Sequence, residues 1–286
     1  MLSATLPNTG EGALKAREDM KALGTNAENN LLQPVPGFFK TFAIGCSRSQ
    51  VSVDMFLFGT QYLDVSTLVS SVRFTGGSLY YYPGFTAARP EDAIKFASEF
   101  AHFMTRPLAL EAVFRVRATK GLRAEAFHGS FFIRSSDLLA LPTVSPDNSY
   151  ALQFTIDENL SVPIACFQSA LLYTASFGER RIRIITLALP VTSDLGEIYR
   201  NIDQCALATL LGKMAVERAL TSKLEDARDA LINKCVDILG VYKANFTSSG
   251  QNPQLIASDN LKFLPLFVLS LLKHVRLTID NFILSL

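Results

Sequence analysis

The chain has 286 residues, of which 49% are hydrophobic and 19% are charged, with 27 basic and 26 acidic side chains. A chain of this length can bury one large core or two to three smaller ones. The near-neutral charge excludes the strongly basic surface that bulk binding of nucleic acid requires, so we expect no nucleic-acid partner.

Cysteine usage and hydropathy indicate the compartment. Four cysteines are widely separated, and neither a C-x-x-C pair nor a Cys/His ligand spacing occurs, so we expect no zinc site and no cofactor in this chain. The first residues lack the apolar segment of a secretory signal. The most apolar run, residues 263–272, has about half the length of a membrane span. These features favour a cytoplasmic protein.

The first third of the chain alternates between strand and helix patterns. Residues 1–37 contain many glycines and prolines and are predicted to be a loop or a partially ordered segment. Residues 38–106 are predicted to form a parallel sheet covered by helices. The predicted elements are a strand over 50–58, a helix over 64–74, a strand over 78–82 and a helix that begins at Pro90.

Pro107 marks a change to β-rich sequence. Short strands separated by turn signals predict an antiparallel β-barrel or sandwich over residues 107–191. We assign this region as a β-barrel. The predicted strands are 108–119, 123–134, 150–157, 163–176 and 180–190.

Residues 192–286 are predicted to form an all-helical domain. Ser193 can cap a first helix whose apolar stripe extends to Thr209, and Ser222 with Glu225 forms a capping box for a second helix. The two helices are expected to pair, and a third helical stretch begins near Asp259. The predicted fold class is therefore multi-domain α+β.

The sequence contains only partial matches to short catalytic motifs. Residues 76–80 resemble the nucleophile elbow G-x-S-x-G, but Tyr80 replaces the last glycine, which favours a plain turn. No two histidines share a ligand-like spacing, so we expect structural roles for His102, His128 and His274. We therefore expect that the protein is not an enzyme.

Residues 64–68 approximate the D-x-S-x-S metal site of von Willebrand A-type domains, in which hydroxyls and a carboxylate hold a hard cation. Leu68 replaces the final serine. The favoured interpretation is that Asp64 caps a helix.

Paired arginines are the strongest candidate for a binding site. Along the predicted strand 108–119, alternation places Arg115 and Arg117 on one face, at positions about 7 Å apart. Guanidinium groups on a rigid strand can bind carboxylates through two hydrogen bonds, so this face is a candidate receptor for acidic peptides. Arg181 and Arg183 repeat the arrangement. The alternative is an ordinary solvent-exposed face.

Four longer segments carry a family resemblance. They are SVRFTGGSLYYYPGF from Ser71, LEAVFRVRATKGLRAEAFHGSFFIRSSDLLALP from Leu110, RRIRIITLALP from Arg180 and ALTSKLEDARDALINKCVDIL from Ala219. These segments resemble the Sec twenty-four family, the cargo-adaptor subunits of the inner COPII coat. The similarity extends from about Leu6 to about His274 and is lost in the final VRLTIDNFILSL.

The resemblance implies the C-terminal part of a von Willebrand A-like α/β trunk, then a β-barrel, then a helical domain. It implies zinc only in a separate zinc-binding domain that is not recognisable here. The implied partners are the GTPase-activating inner-coat subunit, a Sar-family small GTPase, and cytosolic tails of membrane cargo and SNAREs. The implied location is peripheral, on COPII-coated vesicles and endoplasmic-reticulum exit sites.

The resemblance also implies that Arg115, Arg117 and Leu172 form a pocket that binds sorting signals of cargo. The alternative is a structural subunit of the paralogous GTPase-activating type, which shares this architecture but does not read cargo. Residues 115–142 match the adaptor branch better.

Overall fold

The computed structural model describes residues 1–22, 25, 27–135, 137–246 and 257–274. The first of its three structural units, the trunk, is a parallel sheet with helices on both faces. The sheet order is β1-β2-β3, and both strand pairs are parallel. The elements of this trunk are β1 Leu2–Ser3, α1 Glu28–Leu32, α2 Phe38–Arg48, β2 Met55–Gly59, α3 Val65–Arg73, β3 Leu79–Pro83 and α4 Pro90–Thr105.

The first residues belong to the sheet, whereas the sequence predicts a loop over 1–37. Leu2 pairs with Phe56, and the amino group of Met1 donates to the carbonyl oxygen of Asp54 at 2.8 Å. A strand of two residues is too short to show the alternation of apolar and polar side chains by which strands are predicted from sequence. Its position is set by pairing with the central strand.

The central strand β2 is covered on both faces. Met55 and Leu57 face one side and Phe56 faces the other, as alternation requires. On the first side lies a cluster that includes Phe39, Leu63, Leu68 and Val72. On the second side the ring of Phe56 contacts Phe96, Phe100 and Phe103 of α4. The predicted parallel sheet covered by helices is confirmed.

The turn between α3 and β3 explains the glycine pair at 76–77. Gly76 has a φ of +70°, a left-handed conformation that glycine adopts without strain. A Cβ atom on Gly77 would lie 2.0 Å from the carbonyl oxygen of Val53, closer than any side chain can approach. These glycines form a tight turn against the preceding loop.

The second unit is a sandwich of two antiparallel sheets. The large sheet has the order β10-β9-β4-β7-β6, and the small sheet pairs β5 with β8. The rings of Phe154 on β8 and Phe167 on β9 lie 5.0 Å apart between the sheets. The strands are β4 Ala109–Ala118, β5 Leu122–His128, β6 Phe132–Ser135, β7 Leu138–Val144, β8 Ala151–Ile156, β9 Ile164–Ala175 and β10 Arg180–Pro190.

Of the two predicted forms, a β-barrel or a sandwich, the structure shows the sandwich, and its sheets are not closed into a barrel. Among the described residues no strand pair joins the two sheets, so each sheet has two free edges. The predicted strand 123–134 divides between them: β5 belongs to the small sheet, β6 to the large one, and Gly129, with a φ of +146°, lies at the change. The chain passes between sheets at this point, which is typical of a sandwich.

Strand β10 is exposed along its whole length. It forms one edge of the large sheet and pairs only with β9. Its exposed apolar side chains are Ile182, Ile184, Ile185, Leu187 and Leu189.

The third unit is helical. Its helices are α5 Leu195–Arg200, α6 Gln204–Ala219, α7 Leu224–Phe246 and α8 Leu264–Lys273. The first predicted helix is in fact two: Asp194, not Ser193, caps α5, and the carboxylate of Asp203 accepts hydrogen bonds from Cys205 and Ala206 at the start of α6. The expected pairing of helices is confirmed for α6 and α7, with Leu231 in a shared core.

Helix α8 is apolar and packs into the same core through Leu264 and Val268. Within the described ranges, no helix combines the length and the apolar character that crossing a membrane requires.

Each of the three units contacts the other two. Asp147 of the sandwich lies 3.1 Å from the guanidinium of Arg106 at the end of the trunk. His128 Nδ1 of the sandwich lies 2.8 Å from the carboxylate of Glu217 on α6. The side-chain amide of Gln33 in the trunk donates to the carbonyl oxygen of Leu220 in the helical unit at 2.5 Å. The predicted boundaries 38–106, 107–191 and 192–286 stay predictions.

Candidate functional site

Arg115 and Arg117 lie on the outer face of the large sheet. Strand β4 pairs with β7 on one side and β9 on the other, and Arg115 is opposite Ala170. Phe114, which alternates with the two arginines, points inward, and its ring lies 5.9 Å from that of Tyr150. The predicted same-face placement of the two arginines is confirmed. The strand is paired with β7 and β9 at Arg115, and with β9 at Arg117.

Leu172 shares this outer face. It is paired with Val113 of β4, two residues before Arg115, and with Ile182 of β10. Directly opposite residues in an antiparallel pair project from the same face. Leu172 is half-buried and lies outside the buried core. The structure therefore brings Arg115, Arg117 and Leu172 onto one face, and their role in binding stays a prediction.

The two arginines differ in their surroundings. Arg115 Nε and Nη2 lie 2.6 Å and 2.5 Å from the same carboxylate oxygen of Asp137, in a pair whose side chains are 41% and 35% exposed. Arg117 is exposed, and within the part of the chain that the structure describes its guanidinium makes no hydrogen bond or ion pair. We define the acidic-ligand face as Arg115, Arg117 and Leu172. The guanidinium of Arg117 is open to a ligand, whereas that of Arg115 is paired with Asp137.

The second arginine pair does not extend this face. Arg183 is paired with Leu171, which is paired with Phe114, so Arg181 and Arg183 project from the opposite side of the sheet. Arg181 Nε also lies 2.5 Å from the carboxylate of Glu179, which raises the pKa of Arg181. The four arginines therefore form two separate surfaces.

The metal motif at residues 64–68 holds an arginine side chain instead of a cation. Arg17 Nε and Nη2 donate to the two carboxylate oxygens of Asp64 at 2.9 Å and 2.7 Å. Nη2 also lies 2.9 Å from the hydroxyl of Ser66. The backbone N–H and hydroxyl of Thr67 donate to the same carboxylate, which confirms Asp64 as the cap of α3. The guanidinium occupies the oxygen ligands that a cation would need.

The serine of the elbow-like turn contacts an arginine and an aspartate. The hydroxyl of Ser78 lies 3.3 Å from Arg106 Nη2, and its backbone N–H donates to Asp54. His102 and His128 each bond to a carboxylate at a junction between units. Over the described ranges, no group of three or more His, Cys, Asp or Glu side chains could hold a metal ion.

Two features of the structure were not predicted from the sequence. Asp137 reaches Arg115 through the β6–β7 hairpin, and β7 was not predicted as a strand. A cleft of about 1100 Å³ lies between the trunk and the helical unit, lined by residues such as Val69, Leu211, Met214 and Leu231. Its walls come from distant parts of the chain, so no local pattern indicates it.

Comparison with known proteins gives the same order of units. Three family models match: the Sec23/Sec24 trunk domain over residues 1–104, the Sec23/Sec24 beta-sandwich domain over 109–192 and the Sec23/Sec24 helical domain over 203–282. The sandwich described by the second model agrees with the two open sheets.

Individual relatives are protein transport proteins named Sec24. The Chaetomium globosum protein is 50% identical over 277 residues, which are 97% of this chain and 29% of that protein. The Aspergillus clavatus protein is 51% identical over 280 residues, which are 97% of this chain and 30% of that protein. The chain thus spans about a third of the length of these relatives.

A solved structure, the human COPII-coat protein Sec24c, superimposes with a TM-score of 0.86 at 34% identity and covers 96% of this chain and 36% of that one. The matched family models, the identity to Sec24 proteins and the shared architecture lead to one conclusion: the chain belongs to the Sec23/Sec24 family, with its trunk, sandwich and helical domains in that order.

Proposed function

We propose that this chain reads sorting signals as part of a cargo adaptor of the inner COPII coat, in transport from the endoplasmic reticulum to the Golgi. The observation that carries the proposal is the acidic-ligand face, in which two arginines of β4 and Leu172 of the neighbouring strand β9 share the outer side of the large sheet. The similarity to Sec24 proteins supports it. The chain acts by binding rather than by catalysis, and without a cofactor of its own.

The proposal includes the partners of the coat. These are the GTPase-activating inner-coat subunit, a Sar-family small GTPase, the tails of membrane cargo and SNAREs, and the endoplasmic-reticulum membrane surface, which the coat contacts peripherally from the cytoplasm. The alternative, a subunit of the GTPase-activating type, is not favoured, because the relatives matched here are Sec24 proteins.

The geometry predicts weak binding of each tail. Charge-assisted hydrogen bonds from partly exposed guanidinium groups contribute only a few kcal/mol in total, and about 4 kcal/mol corresponds to a millimolar dissociation constant. An apolar residue of the tail can add a contact with Leu172. Many such contacts act together when coat subunits assemble on one membrane.

The test is a titration of an acidic tail peptide against the chain and its Arg115→Ala/Arg117→Ala variant. We expect the double substitution to weaken binding about tenfold, because it removes two charge-assisted contacts of modest strength. Affinity of the unmodified chain is expected to fall as salt rises, since exposed charges are screened. Isothermal titration calorimetry at two salt concentrations measures both effects.

The matched control is Arg181→Ala/Arg183→Ala, which removes the same charge at the same spacing from the opposite side of the sheet. We expect this variant to bind within about twofold of the unmodified chain, because its arginines lie away from the acidic-ligand face. Equal losses in both double variants would indicate general attraction by positive charge and would contradict the proposed site.

A further inference from the structure

Asp137 occupies the side of Arg115 that a ligand would use. Both short contacts, at 2.6 Å and 2.5 Å, are made by Nε and Nη2, the edge of the guanidinium that binds carboxylates in parallel pairs. A ligand carboxylate cannot take this edge while Asp137 holds it.

The backbone places Asp137 there. It directly precedes β7, and the first residue of that strand, Leu138, is paired with Arg115. This pairing brings the residue before β7 close to Arg115, and the two side chains meet in the ion pair. Arg117, two residues along β4 on the same face, has no such neighbour among the described residues.

We propose that Asp137 is a built-in competitor that sets which acidic ligands the face accepts. This inference rests on the proposed function. A ligand first contacts Arg117, whose guanidinium is open, and gains Arg115 only when its own carboxylate replaces that of Asp137. Weakly acidic peptides are thereby limited to one arginine, and more strongly acidic peptides use both.

The expected size of the effect follows from exposure. A pair whose side chains are 41% and 35% exposed holds together weakly, so the competition it imposes lowers ligand affinity about two- to sixfold. An effect of this size can rank peptides without abolishing binding.

The experiment uses Asp137→Asn in the full 286-residue chain, because asparagine keeps the shape of the side chain and removes its charge. The probe is a ten-residue peptide with two glutamates, and the reference is the same peptide with glutamines. We expect the variant to bind the glutamate peptide about two- to sixfold more tightly and the glutamine peptide equally.

The matched control is Asp157→Asn. Asp157 pairs with Arg123 at the same Nε–oxygen distance of 2.6 Å, but on the small sheet. The two variants change net charge equally, so we expect no comparable gain from Asp157→Asn.

A second comparison isolates Arg115. In an Arg115→Ala background the gain from Asp137→Asn is expected to disappear, because there is then no guanidinium at position 115 for Asp137 and the ligand to compete for. An equal gain in that background would show simple charge repulsion and overturn the inference, as would an Asp137→Asn affinity equal to that of the unmodified chain.

The outcomes also separate the two proposals. Binding that is lost in Arg115→Ala/Arg117→Ala but unchanged by Asp137→Asn would leave the proposed function standing and reject the competitor. No binding by either the unmodified chain or Asp137→Asn would overturn both.

Discussion

Replacing Phe56 with alanine is expected to lower the free energy of unfolding by about 4 kcal/mol. The side chain is 2% exposed at the centre of the trunk sheet. Its ring stacks on Tyr80 with centroids 4.5 Å apart and meets Phe100 and Phe103 of α4 edge to face, at 5.4 Å and 5.2 Å. Truncation removes these contacts and leaves a cavity that a strand between two layers cannot close.

Urea unfolding of the Phe56→Ala variant, followed by far-ultraviolet circular dichroism, measures the loss. Phe177→Ala is the matched control, because Phe177 is 69% exposed in the turn before β10. Its only described ring contact is with the guanidinium of Arg181, at 4.9 Å, so we expect a change below about 1 kcal/mol. Similar losses in both variants would contradict the central role of Phe56.

Replacing Arg17 with alanine is expected to destabilise the trunk by about 3 kcal/mol. The side chain of Asp64 is 1% exposed, and Arg17 provides its only described ion pair. Without the guanidinium a buried carboxylate keeps its hydrogen bonds from Ser66 and Thr67 but loses its charge partner. The loss therefore lies at the lower end of the range for breaking buried pairs.

Arg123→Ala is the control for burial. Arg123 makes a comparable two-bond pair with Asp157, at 2.6 Å and 3.3 Å, but both side chains are exposed. Exposed pairs are screened by solvent, so we expect Arg123→Ala to destabilise the chain much less than Arg17→Ala does. A loss in Arg17→Ala no greater than in Arg123→Ala, by urea unfolding at pH 7, would show that burial of Asp64 has no energetic consequence.

The cost of Arg17→Ala is expected to shrink as pH is lowered from 7 to 5. Burial alone raises the pKa of Asp64, but hydrogen bonds from Arg17, Thr67 and Ser66 outweigh it and hold this pKa below the usual 3.8. In the unmodified chain the ionised carboxylate therefore stabilises the fold above about pH 4, and this stabilisation is lost as pH falls through the lowered pKa.

In Arg17→Ala burial persists while the opposing bond from the guanidinium is gone, so the pKa of Asp64 rises. The carboxyl group then takes up a proton at higher pH, which removes the penalty of an unpaired buried charge. Unfolding measured at pH 7 and pH 5 for both proteins gives the difference directly. A difference independent of pH would show that Asp64 stays ionised in the variant.

Local signals predicted α4 well. Pro90 occupies its first turn, and the helical period of the sequence predicts an apolar stripe with Phe96, Phe100 and Phe103, which contact the sheet. A proline at the helix start and the 3.6-residue spacing of apolar side chains involve only residues close in sequence, so both can be recognised from the sequence alone. Met104, also assigned to the stripe, is exposed.

Strand β7 could not be found in this way. Its sequence LLALPTV has no alternation, because a central strand is covered on both faces, and Pro142 argues against a central strand. The structure accommodates Pro142 opposite Glu111, the one position missing from the otherwise regular β4–β7 ladder. Glu111 has a φ of +50° and lies where β4 shifts register against β9. A proline without an N–H is tolerated there.

The candidate site was predictable only in part. The shared face of Arg115 and Arg117 follows from the period of a strand, which is local. The face of Arg183 depends on the register of β10 against β9, and a shift of one residue would reverse it. The contact with Asp137 depends on pairing between β4 and β7, so it appears only after folding.

The three junctions between the units have a mechanical consequence. Three bodies connected in sequence by two linkers can bend at each linker, whereas three bodies that also touch pairwise form a triangle. The contacts Arg106–Asp147, His128–Glu217 and Gln33–Leu220 provide one point on each side of that triangle. Rotation about any one junction is opposed by the other two, so a force applied to β4 is shared between the trunk and the helices instead of opening a hinge.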